Sequence, residues 1–157
     1  MTQSSGAGAE SMWAPYDLEY PYKRSVGPVL GRFFGGLKNR RFEAVRASDG
    51  RVICPPPEAD PVTGEALGGE GGWTEVGPGG VVKSWSWVPS PRPKHPLAKP
   101  FAWALIQLDG ASTELLHAVD VASEASIETG LRVVPRWREA TQGDIRDVEC
   151  FVAEGSR

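Results

Sequence analysis

Arg46-Ala47-Ser48-Asp49-Gly50-Arg51-Val52, then Cys54-Pro55-Pro56-Pro57, then Asp60-Pro61-Val62-Thr63-Gly64 is the stretch that orients the rest of the chain. Two short turns, each closing on a glycine, flank a proline-rich connector. Cysteines at positions 46, 49, 60 and 63 would make a four-Cys zinc ribbon, in which paired C-x-x-C turns present four thiolates tetrahedrally. The chain has Arg46, Asp49, Asp60 and Thr63 there instead. An arginine cannot ligate, and two aspartates with one threonine are a poor zinc set. We therefore read residues 42–72 as a ribbon frame without its metal, and assign no metal ligand and no cofactor.

Working downstream, short alternating runs separated by turn residues predict strands. Trp73-Thr74-Glu75-Val76 precedes a Gly-Pro-Gly-Gly turn, and Val81 to Val88 alternates again. In that second run Val81, Lys83, Trp85 and Trp87 would share one face, with the tryptophans read as core. Pro89 to Pro100 has five prolines and must be a loop. Phe101 to Leu108 is a strand apolar on both faces, followed by Leu115–Val119, a turn capped by Ser123, a strand Leu131–Trp137 and a last strand Ile145–Val152. Five or six short strands at this spacing predict a small barrel over residues 73–153, with the barrel beginning at Trp73.

Upstream, residues 26–41 are predicted to be helical, with Ser25 as N-cap and Pro28 in the first turn. Val26, Val29, Leu30, Phe33, Phe34 and Leu37 form an apolar stripe at helical spacing. Two adjacent phenylalanines make that stripe wider than one barrel mouth needs. We therefore assign Leu30, Phe33, Phe34 and Leu37 to partner binding, the competing expectation being that they cap the barrel. Residues 1–25 read as a flexible arm, aromatic between Trp13 and Tyr22.

The order and spacing of these pieces resemble the DUF35 family of OB-fold proteins, which carry a rubredoxin-like zinc ribbon before the barrel. The resemblance spans roughly residues 26–152. It rests on Val26–Leu37 as the helical lead-in, on Gly50-Arg51-Val52-Ile53-Cys54-Pro55-Pro56, on Phe101–Asp109 as a central strand, and on Ile127-Glu128-Thr129-Gly130-Leu131-Arg132-Val133. The departure is the missing cysteines. The resemblance implies an accessory subunit that completes a thiolase-like enzyme acting on acyl-CoA thioesters, by acyl transfer or carbon–carbon cleavage, including steroid or lipid side-chain degradation. The catalytic residues would then belong to the partner.

Composition agrees with a chain of this kind. At 157 residues, with 17 Lys and Arg against 20 Asp and Glu, the net charge is −3. That argues against a general nucleic-acid binder, although a single-strand-binding OB module is the alternative function for such a barrel. Two cysteines, Cys54 and Cys150, make no disulfide framework, and we expect both reduced and buried in a cytoplasmic protein. No run is long enough for a membrane span, and no secretory signal is visible. We assign no catalytic residue: no nucleophile motif or phosphate-binding loop is present. His117, in a strand, reads as structural. Lys94, His95 and Lys99 in the proline-rich loop are the candidate contacts to an anionic ligand such as acyl-CoA. Purified protein should contain well under one zinc per chain by elemental analysis; one tightly held zinc would show that other residues ligate it.

Overall fold

The structure, a computed structural model, describes residues 14, 16, 18–21 and 25–156. Trp13 and Tyr22, and most of the expected arm, lie outside these residues. Helix α1 runs Gly27–Lys38. Three strands, β1 (Phe42–Arg46), β2 (Val52–Ile53) and β3 (Trp73–Val76), form a small antiparallel sheet in the order β2-β1-β3. Five more close a barrel in the order β4-β5-β6-β8-β7: β4 (Gly80–Val88), β5 (Phe101–Leu108), β6 (Glu114–Asp120), β7 (Arg132–Trp137) and β8 (Val148–Ala153). The protein is mainly β, with one helix ahead of a closed five-stranded barrel, as expected.

Four local expectations are corrected. Trp73–Val76 does not begin the barrel; it pairs with β1 across Phe42↔Val76 to Val45↔Trp73 and completes the ribbon sheet. Ser25 is not the effective helix cap. The first-turn amides of Val29 and Leu30 instead donate to the Glu58 carboxylate at 3.1 and 3.4 Å, so a ribbon side chain holds the positive end of the helix. Val81, Lys83, Trp85 and Trp87 do not share one face, because pairing with β5 skips Lys83 between Val82↔Ile106 and Ser84↔Leu105. That bulge reverses the alternation, so Val82 and then Trp85 and Trp87 pack on the core while Lys83 and Ser84 face water. The last strand starts at Val148, since Ile145–Asp147 is a 3₁₀ turn built on an Asp144/Asp147 capping box.

Pro135 sits inside β7, opposite Phe151. It is tolerated because β7 pairs with β4 only at Arg132 and Val133, leaving the other edge of Pro135 outside any ladder. Gly80, by contrast, is required where β4 crosses β5: a Cβ there would stand 2.6 Å from the Gln107 carbonyl oxygen.

One core joins all three modules. Phe33 and Leu37 of α1 are 1% and 0% exposed. They pack in the same cluster as Phe42 and Val52 of the ribbon and Val82, Ile106, Val133 and Phe151 of the barrel. The expected docking stripe is thus turned inward at Phe33 and Leu37, while Leu30 and Phe34 stay half-buried at its margin. The Phe42 ring lies 5.1 Å from Trp137 and 6.2 Å from Phe151, which carries the ribbon into the barrel interior. Backbone bonds reinforce the junction: Ser112 N–H donates to the Val52 carbonyl, and Cys54 N–H to Thr113 Oγ1 at 2.9 Å.

Phe33→Ala removes a buried aromatic from this shared core and should cost about 3–5 kcal/mol. Urea denaturation of the isolated chain measures it; a loss below about 1 kcal/mol would mean that the helix does not seat as described.

Candidate functional site

The outer face of the barrel is apolar where β5 and β6 meet. Leu105 and Leu116 are in register and are 40% and 59% exposed. Leu97 of the proline-rich loop covers the adjacent part of this face with Phe101, Ala118 and Cys150. Beside the uncovered part lies a cleft of about 470 Å³. Trp103, Leu116, Ile145 and Val148 give it an apolar lining, and Lys94 and His95 enter it from the loop. Arg138, Arg146 and Glu149 line it from the segment joining β7 to β8 and from β8 itself.

His117 also lines this cleft, from the inward face of β6. It is 6% exposed, its ring meets Phe151 edge-on at 5.5 Å, and its Nδ1 has no hydrogen-bond partner among the described residues. Burial pushes its imidazole below the ordinary value, against an opposing pull from the backbone at Ala118 and Ile145, so the ring is neutral at pH 7. A buried nitrogen without a partner typically costs about 1–3 kcal/mol. The structural histidine expected from the sequence is therefore incompletely satisfied.

The three ligand candidates do not stay together. Lys94 and His95 reach the cleft, whereas Lys99 pairs with Asp120 at 2.8 Å, beside Arg136. His95 is held in place by an amide donation from Arg92 to its Nδ1 and by an edge contact to Phe101. Lys94 meets Glu19 of the arm at 3.2 Å. Arg138, Arg146 and His117 were not legible as a site, since they come from separate elements and carry no common motif.

Both cysteines are free and buried, as expected. Burial pushes Cys54 up to about 12 and Cys150 to about 11, so neither offers a thiolate at neutral pH. No helix among the described residues is long and apolar enough to cross a membrane.

Residues 73–138 match the family described as the ChsH2 C-terminal OB-fold domain. A chain of the solved structure described as the Ltp2-ChsH2(DUF35) aldolase is similar at 25% identity and a TM-score of 0.58, covering 83% of this chain and 98% of that one. The chain resembles DUF35-type OB-fold proteins in fold and in the order of its elements. A Sulfolobus solfataricus protein of unknown function from the DUF35 family shares the fold at 20% identity, with a TM-score of 0.54, over 69% of this chain and 78% of that one. A comparison with curated proteins gave no match.

In this chain the two ribbon turns are tied by an arginine. Arg51 Nε donates to Asp49 at 2.6 Å, and its Nη2 reaches both oxygens of Asp60 at 2.8 and 3.1 Å. Asp60 is 2% exposed and also accepts from the Val62 and Thr63 amides. Arg46 is spent on the Gly50 carbonyl, and Thr63 Oγ1 accepts from Glu65 N–H. Among the described residues no group of three or more His, Cys, Asp or Glu is placed to hold a metal ion.

The Val62 N–H is the largest influence holding the Asp60 carboxyl below its usual range; burial works against it, and Arg51 and the Thr63 amide add to it. A depressed carboxyl contributes stability that is complete above its unfolded value, near 3.8, and is lost as pH falls through the folded value. Asp60→Asn should therefore lower the melting temperature at neutral pH, and the gap to the parent should narrow as pH falls below 3.8 and through the folded value. A gap that stays constant with pH would show that the Asp60 charge does not hold the turns.

Proposed function

We propose that this chain is a non-catalytic accessory subunit that binds and completes a thiolase-like enzyme acting on acyl-CoA thioesters, by acyl transfer or carbon–carbon cleavage. Steroid or lipid side-chain degradation in the cytoplasm is the setting this reading favours. The observation that carries it is the similarity to a chain of the Ltp2-ChsH2(DUF35) aldolase across 98% of that chain. The two thiols support it: burial raises both, so neither Cys54 nor Cys150 offers an activated thiolate for covalent acyl chemistry.

A single-strand-binding role has less support. The tryptophans that would stack bases, Trp85 and Trp87, pack on the core. Several cations near the loop and ribbon are also paired: Arg51 with Asp49 and Asp60, Lys99 with Asp120, and Arg41 with Glu43 and Glu75.

For partner binding we retain Leu30 and Phe34, whose surfaces remain half-open, with Phe33 and Leu37 acting as their foundation. Tyr16, Leu18 and Tyr20 of the arm are 83%, 61% and 73% exposed and form a second apolar surface suited to the same role. Ligand contact in this reading rests on Lys94 and His95 at the cleft rim. Lys99 would join them only by leaving Asp120.

Co-expression with a thiolase-like enzyme from the same source should give a complex that survives size-exclusion chromatography. Leu30→Glu should weaken that complex by roughly 2 kcal/mol or more while leaving the melting temperature of the isolated chain nearly unchanged. Separate elution of the wild-type proteins would sink the accessory reading; an undiminished complex with Leu30→Glu would move the interface away from α1.

A further inference from the structure

We propose that the cleft between the proline-rich loop and the β7–β8 segment binds a free carboxylic acid with an apolar body, independently of any partner enzyme. Its volume of about 470 Å³ lies within the range of small-molecule sites. An apolar lining with a few convergent polar groups is the usual chemistry of such sites. Trp103, Leu116, Ile145 and Val148 provide that lining here, and the neighbouring Leu105 extends it on the surface.

The charge balance selects the head group. Lys94 is paired with Glu19, Arg146 with Asp144 at 2.6 Å, and Glu149 with Arg136 at 2.8 Å. Arg138 has no ion pair among the described residues, so the cleft offers one uncommitted cation, in a fork geometry that suits a carboxylate. One such cation matches a single negative charge; a polyanion would need several. A carboxylate, that of Glu19, already reaches the Lys94 side of the same rim.

The second observation is His117. It is 94% buried by its 6% exposure, lines the cleft, and keeps one ring nitrogen without a partner among the described residues. Neither the barrel core nor the ribbon uses that polar group. His117 and Arg138 line the same cleft, and the neutral imidazole would supply the second polar contact to a ligand that brings its own hydrogen-bonding head.

Octanoate is the probe, titrated into the full chain and followed by backbone and side-chain amide shifts in ¹⁵N NMR. Saturable shifts should centre on Leu116, His117, Arg138 and Ile145 at millimolar ligand. Arg138→Gln, a surface change that leaves the fold intact, should weaken binding about tenfold. Leu116→Asp should abolish it by placing a like charge on the apolar wall. Octanol should bind no better than octanoate does to Arg138→Gln, and inorganic phosphate should produce no shifts. The absence of saturable octanoate shifts overturns the proposal. Equal binding of octanol and octanoate to the parent chain overturns the anionic assignment, and equal binding of phosphate overturns the apolar one. Failure of the partner complex would leave this outcome untouched, since every measurement is made on the isolated chain.

Discussion

The burial of Phe33 and Leu37 against the barrel is the contact on which the remaining architecture depends. A small ribbon sheet of three short strands cannot bury enough apolar surface to stand alone, and a lone 12-residue helix is marginal in water. Each gains stability only by sharing the barrel's core. Phe33 and Leu37 come from the helix, Phe42 and Val52 from the ribbon, and Phe151 and Ile106 from the barrel, all within one cluster. The Glu58 carboxylate then secures the helix from the ribbon side, so helix and ribbon hold each other while both rest on the barrel.

That arrangement explains how a ribbon frame persists where thiolate ligands are missing. Structural zinc contributes about 10–16 kcal/mol of apparent binding free energy in zinc-finger peptides. A partly exposed ion pair such as Arg51 with Asp49 and Asp60 supplies only a small fraction of that. Its role is geometric: a planar guanidinium has donors enough to bridge two turns at once. The stabilisation comes from burial on both sides of the sheet. Phe42, Ala44 and Val52 face the barrel, and Val45, Ala47 and Ile53 pack with Val29, Leu67 and Trp73 on the other face.

The same closure leaves open apolar surface on the outside of the barrel. With α1 seated on the core, the exposed large apolar side chains among the described residues are Leu105 and Leu116 on the barrel, Val26 before α1, Val62 of the ribbon, and Tyr16, Leu18 and Tyr20. The segment from Arg138 to Asp147 links the end of α1 to the cleft. Its buried Asp147 accepts from the amides of Gln142, Gly143 and Asp144, Thr141 Oγ1 donates to the Lys38 carbonyl at the end of α1, and Ile145 and Arg146 face the cleft. Burial works to raise the Asp147 carboxyl, and the three N–H donors outweigh it and hold it low, which keeps this turn ordered at neutral pH.

The sequence by itself determined the elements: the helix from the spacing of Val29, Phe33 and Leu37, the loop from its prolines, the strands from their alternation, and the loss of thiolates from Arg46, Asp49, Asp60 and Thr63. These are local properties, written in neighbouring residues through periodicity and backbone restriction. Only the tertiary structure decided which sheet Trp73–Val76 joins, because pairing partners are chosen by long-range register. It also decided that Trp85 and Trp87 share a face with Val82 rather than with Val81 and Lys83, since a single unpaired residue at Lys83 reverses a strand's faces without marking its composition. The cleft was invisible for the same reason. Lys94, His117, Arg138 and Ile145 are separated by long stretches of chain, and closure of the barrel brings them to one surface.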